Sequence, residues 1–480
     1  MKTEVLIGID AGSTHLKAAL YTLKGELIAI KHSRVMTYHS QPSFSEYDAE
    51  EIFTQLCSSF RALLTPEYRP VAVGISSFGE SVVPVDSNGN ALDRAIAWYD
   101  MRGQDLIAGF AEKYGVSRLH TLTGQLPSGK FTLSKLLWMK RNTPEFLGKV
   151  HRFLFIQDYL ASRLTGNLCT EFSLASRSMM FDISRLKWSQ ELLSTCGLEE
   201  KQMPIVIPSG TASGNVTKQA SLLTGLPCGI PVILAGHDHA SASVAAGIEE
   251  NKVVLDSLGT SETSIFTGCH PENKALHSCG IGFYPYVQGK QRYLSSIQGC
   301  GFSIEWMARL LFEEPVFPKF FAAAGFAIEK SLDSPLFFPY LRGLQEAPEA
   351  SGSITGLKDV HTKESLCYSV LEGLCFEYKR RMQSAEAVSG ITFSRVRVAG
   401  RLSREAVFIQ LKSDILGIPV EVLSQPEAVS QGAAILAGKY CGCITFWKPH
   451  ILTAFLPCEC GGRYEGRYEK YLLGVDGFLL

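Results

Sequence analysis

Two short stretches of the chain, Ile7 to Thr14 (IGIDAGST) and Val253 to Ser261 (VVLDSLGTS), share one chemical design about 250 residues apart. Each is an apolar, β-branched run that reaches an aspartate and then a tight Gly-Ser or Gly-Thr turn. A strand and hairpin of that kind present backbone N–H groups and a hydroxyl to a phosphate. One such loop is an ordinary turn. Two, at matching places, imply a duplicated phosphate-gripping domain with a nucleotide held between the copies. A second group with possible chemistry lies near the C-terminus, where Cys441, Cys443, Cys458 and Cys460 form two C-x-C pairs. Four thiolates can hold a structural zinc, but ligand pairs in such sites usually stand two to four residues apart, so free thiols near a loop are expected.

The elements that must carry these loops alternate between strand-like and helical patterns, which predicts α/β layers. The first part reads as strands over Val5–Ile9, Lys17–Leu23 and Leu27–Ser33, a helix from Ala49 and a strand over Val71–Ile75. A hairpin turn follows at Asp86–Asn90 (DSNGN), where Asn-Gly tolerates positive φ. Thr132–Arg141 reads as a helix with Thr132 or Ser134 as cap. The strand Val232–Ala235 leads into AGHDHA, and a small-residue helix over Ala240–Gly247 marks the domain change, because the hairpin pattern restarts at Val253. Farther on, Leu366, Val370, Leu374 and Tyr378 form one stripe on a helix that starts near Lys363. Arg395–Leu416 reads as strand, turn and helix, with Ser403 as N-cap. The strand GIPVEVL and then QPEAVSQGAAILAG follow, the latter a small-residue helix able to pack close to a neighbour. With no flexible linker in the pattern, the halves are expected to meet in a hinge and cleft.

Composition limits the class. The chain has 480 residues, 46% hydrophobic, enough for two or more domains with their own cores. Lys+Arg 46 against Asp+Glu 47 leaves a formal charge of -1, so no basic field is available for nucleic acid or an anionic membrane. No apolar run is long enough for a signal peptide or a bilayer span, and a cytoplasmic location is expected. Thirteen cysteines, many in apolar patterns such as Cys367 and Cys375, read as thiols in a reducing compartment.

Nine motifs then carry a resemblance, in order from Ile7 to about Tyr440: GIDAGST, GISSFGESVVPVDSNGN, AIAWYDMR, the K-L-L-W helix at Lys135–Trp138, FSLASRSMMFDI, AGHDHA, LGTS, SGSITGL, and AGRL followed by QLKSDILGIPVEV. The chain resembles the FGGY carbohydrate kinase family. The resemblance implies two actin-like, ribonuclease H-like α/β ATPase domains with a cleft between them. Residues 1–245 would be the sugar-binding domain with the catalytic base, and 246–480 the nucleotide-binding domain. It also implies ATP and Mg²⁺ as cofactors and a small sugar or polyol as partner, with a homodimer left open.

Site residues follow from the motifs that match. Phosphoryl transfer to a hydroxyl needs a base, a metal, donors for the phosphates and a dry cleft. Asp238 in AGHDHA is the expected base, at the C-terminal end of a strand, with a helix-capping aspartate as the alternative. His237 and His239 would pack around it. Asp10 fits Mg²⁺, reached through water because magnesium keeps most of its hydration shell. Gly12, Ser13, Thr14 and Lys17 would approach the phosphates from one side, Gly259 and Thr260 from the other. Gly299 and Gly301 would allow another close approach to phosphate or ribose. Gly400 and Arg401 fall in the adenosine region, where relatives commonly have glycine, so Arg401 must swing aside or stack over the adenine. Gly79, Glu80, Asp100, Arg102 and Lys130 would line the acceptor pocket, with Glu80 the leading residue. Lys130 departs from the aromatic or small residue found in relatives. It would recognise a carbonyl or carboxylate, or point to solvent. The expected substrate is a small ketose such as the pentulose xylulose. A polyol (glycerol, a tetritol or a pentitol) and a degenerate ATP-binding regulator of the same fold are the alternatives.

Overall fold

The computed structural model describes residues 2–248, 252–268, 278–297, 299–312, 317–344, 346–347 and 349–479. Two compact units share the chain. The first comprises Met1–Gly247, Gly282–Arg292 and Glu427–Lys448; the second comprises Ile248–Ile281, Tyr293–Pro426 and Pro449–Leu480.

In the first unit, strand β1 (Thr3–Ala11) forms a hairpin with β2 (His15–Thr22), followed by β3 (Leu27–Arg34). β1 is buried from Val5 onward on both faces, as an unbroken apolar run at the centre of a sheet should be. Helix α1 (Ala49–Leu63) starts at Asp48, whose carboxylate accepts the amides of Glu50 and Glu51, and buries Ile52, Phe53, Leu56, Phe60 and Leu63. Next come β4 (Tyr68–Ser77), helix α2 (Thr132–Asn142), the short helix α3 (Phe172–Ser176), β5 (Ala212–Asn215), β6 (Pro231–His237) and α4 (Asp238–Ala245). The sheet order is β5-β6-β4-β1-β2-β3. β1, β4 and β6 run parallel, and β5 and β2 are antiparallel to their neighbours.

The second unit repeats this plan over six strands. β7 (Val253–Leu258) and β8 (Glu262–Gly268) make the hairpin, with β9 (Gln291–Ile297) beside it. After helices α5 (Cys300–Leu311) and α6 (Lys363–Ser389) come β10 (Arg395–Ala399), α7 (Ala406–Leu416) and β11 (Val420–Leu423). Helix α8 (Ala428–Tyr440) and the edge strand β12 (Ile451–Phe455) complete the set. The order β12-β11-β10-β7-β8-β9 matches the first sheet, with β7, β10 and β11 parallel and β8 and β12 antiparallel to their neighbours. The duplicated loops therefore sit at equivalent hairpins of two equivalent mixed sheets.

Helix α8 belongs to the first unit, and its small residues explain how. A Cβ on Gly8 would fall 1.9 Å from the Ser430 carbonyl oxygen, one on Gly74 2.0 Å from that of Ala433, and one on Gly432 1.9 Å from that of Ser241. Glycines on β1, β4 and α8 thus let the helix backbone touch the sheet and α4. The close packing expected of QPEAVSQGAAILAG is present.

Two expected caps are corrected. The hydroxyl of Thr132 donates to the Glu80 carbonyl at 2.7 Å, and Ser134 donates to the carbonyls of Gly129 and Phe131, so neither caps α2. Ser403 lies in a 3₁₀ turn, Arg401–Arg404, and gives its hydroxyl to Gly400; α7 begins three residues later at Ala406. Phe131 and Glu405 hold the N-cap positions instead, and the hydroxyls donate to nearby carbonyls. No helix among the described residues is long and apolar enough to cross a membrane.

Candidate active site

Asp238 is the first residue of α4, directly after β6, and its side chain keeps 29% exposure. Its Oδ1 accepts the His239 amide at 2.6 Å and lies 3.3 Å from Nε2 of His237. The strand end beneath it is pinned by buried polar groups. The Gly236 amide donates to Gln157 at 2.6 Å, the His237 amide donates to Ser173 Oγ at 2.9 Å, and Glu171 caps α3. Gly236 has φ +86, and a Cβ there would fall 2.5 Å from Ser173 Oγ, so only glycine fits. Burial pushes the His237 pKa well below 6.5, leaving the ring neutral. A neutral ring has one donor and one acceptor. Nε2–H then faces Asp238, and Nδ1 accepts from the Tyr284 hydroxyl 3.3 Å away. For Asp238 itself burial opposes ionisation, but the flanking histidines, the His239 amide and Arg177 outweigh it and hold the carboxyl below its ordinary range. The group is a carboxylate at neutral pH.

Asp10, next to last in β1, is in register with Ser76 of β4, and Gly236 of β6 is in register with the same Ser76 from the other side, so the two aspartates stand at the same end of the strands that flank β4. Asp10 is buried and lies 3.4 Å from the Lys17 ammonium, which also reaches Glu427 at 2.9 Å. Burial raises its pKa to about 6; Lys17 opposes this, while Asp238 and Glu427 add to it. The following turn is closed by the Gly12 amide donating to the His15 carbonyl, where a Cβ on Gly12 would fall 2.9 Å from that oxygen. Thr14 at its tip is exposed, and Ser13 is partly so.

Behind Asp238 lies a second polar group. Glu80 is buried with φ +67, and Arg177 holds its carboxylate through Nε at 2.7 Å and through Nη2. Nη1 of Arg177 donates to Gln125 at 3.0 Å. Gly79 lets this arrangement close, since a Cβ there would lie 3.0 Å from Arg177 Cβ and 3.2 Å from His237 Cδ2. Lys130 lies over the Phe131 ring, its Nζ 5.0 Å from the centroid. Asp100 and Arg102 form a separate pair. Asp100 accepts the amides of Ser45 and Arg102 as well as the Arg102 guanidinium, which stacks 3.8 Å over Phe44 and reaches Glu46. Their hydrogen bonds tie the WYDMR turn to the segment around Ser45.

In the second unit the hairpin tip, Gly259 to Ser261, is exposed and closed by the Gly259 amide on the Ser261 carbonyl. Two glycine features grip this tip. A Cβ on Gly301 would fall 2.5 Å from the Gly259 carbonyl oxygen, and the Gly301 and Phe302 amides donate to Gly259 and Thr260. Gly400, at φ +95, would place a Cβ 2.3 Å from the Leu258 carbonyl oxygen. Gly299 opens α5 at its N-cap. Arg401 lies over the Phe317 ring at 4.7 Å. Below the hairpin, Lys412 bridges Asp256 at 2.5 Å and Glu262, all three fully buried or nearly so.

Family models match this layout of two like units. The model of the FGGY carbohydrate kinase N-terminal domain covers residues 5–245, and that of the C-terminal domain covers 255–440. The chain belongs to the FGGY family of carbohydrate kinases. It is similar to the xylulose kinase of Staphylococcus xylosus, 26% identical with 90% of each chain covered. It is also similar to the L-fuculokinase of Escherichia coli K12, 27% identical over 91% of this chain and 92% of that one. Among solved structures, Plasmodium falciparum glycerol kinase with ADP superposes with a TM-score of 0.88 at 22% identity, covering 100% of this chain and 99% of that chain. The protein is a phosphotransferase that acts on an alcohol group.

For this FGGY kinase, the residues that sequence reasoning missed are those reached only by folding. Arg177 sits inside the motif FSLASRSMMFDI, yet nothing in its spacing marks it as the partner of a glutamate 97 residues earlier. Gln125 and Tyr284 are likewise distant in sequence from their partners, Arg177 and His237. Among the described residues no group of three or more His, Cys, Asp or Glu side chains could hold a metal ion. Cys441 and Cys443 are exposed, and the Cys460 side chain lies outside those described. A magnesium ion that keeps most of its water needs no such cluster; one or two carboxylates and phosphate oxygens suffice. Asp10, buried and pressed by Asp238 and Glu427, fits that requirement.

The raised pKa of Asp10 has a stability consequence. The unfolded carboxyl ionises near pH 4 and the native one near 6, so ionisation costs the fold nothing below both values. Above both it costs roughly 3 kcal/mol. Asp10→Asn, which cannot ionise, is expected to unfold at higher denaturant than the parent at pH 8 in metal-free buffer, with the gain shrinking toward zero as the pH falls to 4. Equal midpoints at both pH values would contradict this origin.

Proposed function

We propose that this kinase transfers the γ-phosphoryl group of ATP to a primary hydroxyl of a small ketose, with a pentulose such as xylulose as the acceptor size. The observation that carries the reading is the ionised, partly exposed Asp238 at a strand end, with Asp10 at the same end of the sheet across β4 and the Glu80–Arg177 pair behind it. Two relatives named for xylulose and L-fuculose, both ketoses, support the acceptor class.

Asp238 is the base. As the acceptor oxygen forms its bond to the γ-phosphorus, the bond from that phosphorus to the ADP oxygen breaks, and the hydroxyl proton passes to Asp238 and then to water. His237, neutral and fixed by Tyr284, keeps the carboxylate aimed. Lys17 and the turn Gly12–Ser13–Thr14 offer a cation and N–H and hydroxyl donors to phosphate oxygens, and in the second unit Gly259 and Thr260 form a hairpin turn of the same donor design. Gly299, Gly301, Gly400 and Arg401 border the nucleotide. The close packing of Gly301 and Gly400 on the hairpin gives those two a structural part as well. Glu80 and Arg177 orient the acceptor hydroxyls, while Asp100 and Arg102 shape the wall. Mg²⁺, held by Asp10 through water, would neutralise phosphate oxygens when bound.

A coupled assay of ADP release with Mg·ATP, run over pentuloses, hexuloses, pentitols and glycerol, tests the reading. A signal that depends on acceptor and is largest for a pentulose is expected. Turnover only with a polyol would move the substrate to that class, and ATP hydrolysis indifferent to any acceptor would remove the kinase assignment of this site.

A further inference from the structure

The acceptor group contains more positive charge than its carboxylate balances. Lys130 and Arg177 lie on one ring, with Nζ 5.0 Å and Cζ 4.9 Å from the Phe131 centroid. Glu80 is the carboxylate of this group, and Arg177 takes it with two nitrogens while its third goes to Gln125. Among the described residues, nothing forms a hydrogen bond or an ion pair with the Lys130 ammonium. Burial pushes its pKa down to about 8, and Arg177 adds to the effect while Glu80 opposes it.

The backbone that carries this side chain is held in place, and the ammonium rests on the Phe131 ring. Ser134 and Lys135 both donate to the Gly129 carbonyl, and Lys135 donates to that of Lys130 at 2.7 Å. The Phe131 amide closes the turn on Ser128. An ammonium partly stripped of water and without a hydrogen-bonded counter-ion recognises an anion more strongly than a hydroxyl or carbonyl.

We propose that Lys130 determines acceptor specificity and that the preferred acceptor carries a carboxylate: a sugar acid of ketose size, whose far primary hydroxyl is the one phosphorylated. This rests on the reading of the pocket as the acceptor site and narrows its substrate class. A charge-assisted contact of this kind is worth on the order of 10- to 100-fold in kcat/KM over a neutral acceptor of equal length.

The test compares a 2-ketopentose with the 2-ketopentonate in which C1 is a carboxylate, using ADP release by the full chain. The acid is expected to have the higher kcat/KM by that factor. Lys130→Gln should bring the ratio of the two near one, and Lys130→Arg should keep it. The ratio should also fall as the pH rises through about 8, where the ammonium loses its proton. The charged and titratable groups facing Lys130 are Arg177, Glu80 and His237. Lys135 is pushed to about 8 as well, so the step in pH must vanish in Lys130→Gln, where Lys135 is intact. A parent enzyme that favours the neutral ketose, or a ratio untouched by Lys130→Gln, overturns the proposal. If neither acceptor yields ADP, the kinase reading of the pocket fails instead. Calorimetric binding of the 2-ketopentonate to parent and Lys130→Gln then decides the lysine's role, since equal affinities would overturn it.

Discussion

Asp238→Asn is expected to lower kcat by on the order of 10²- to 10⁴-fold, the usual worth of a positioned general base. The substitution is isosteric, and the amide oxygen can still accept from the His239 N–H and from His237 Nε2–H. The strand end is anchored by Gln157, Ser173 and Glu171, none of which the change touches. Folding should therefore survive, with a denaturation midpoint close to the parent's. Acceptor KM should change much less than kcat, because Glu80 and Arg177 are unaltered. The variant removes only the group able to take the hydroxyl proton. One side effect follows from the charge: without the Asp238 anion, Asp10 loses a neighbour that raises its pKa, so its titration should move down from about 6. Steady-state kinetics with the best acceptor, alongside nucleotide binding by calorimetry, check the result. A kcat within tenfold of the parent, with normal stability, would show that Asp238 is not the base.

Much of this site is legible in the sequence because it lies at strand ends within a few residues of a glycine turn. Asp10, Gly12, Gly79, Asp238, Gly259 and Gly400 each follow a strongly apolar strand, and a glycine there has a steric reason that can be read before folding. What escapes is the pairing across the chain. Arg177 is one of many arginines until Glu80 folds onto it. The two loop aspartates look alike, yet Asp10 faces Lys17 across its own hairpin, whereas Asp256 turns into the core beneath its hairpin and meets a lysine 156 residues later. The return of α8 to the first unit is equally hidden, because its small residues announce close packing without naming the partner. The two misplaced caps have a related cause: folding sets the N-cap positions one residue before Thr132 and two after Ser403, leaving these hydroxyls to donate to tertiary and local carbonyls.

The buried lysine of the second unit leads to the other large expected effect. Lys412 carries one positive charge between two carboxyls, Asp256 and Glu262, in a space closed by the Tyr378 ring 4.0 Å away. Among the described residues, Oδ1 of Asp256 and Oε2 of Glu262 have no hydrogen-bond partner. Burial raises Asp256 well above the ordinary carboxylate range, with Glu262 adding to it and Lys412 opposing, while for Lys412 burial is outweighed by the two carboxyls, which push its pKa up. Lys412→Met removes the only cation of this triad and leaves two desolvated carboxyls. The expected loss is about 3 to 5 kcal/mol of folding stability. Unfolded carboxyls ionise near pH 4, while buried ones without a cation hold their protons to higher pH, so the loss should be greater at pH 8 than at pH 5. Because Asp256 and Glu262 flank the turn that presents Gly259 and Thr260, KM for ATP should rise more than KM for the acceptor. Chemical denaturation at the two pH values measures the first effect, and initial rates measure the second. The triple variant Asp256→Val, Glu262→Leu, Lys412→Met should regain most of the stability, since it removes the stranded charges together with their partner. A loss below about 1 kcal/mol in Lys412→Met would mean that the carboxyls find water or another partner once the lysine is gone.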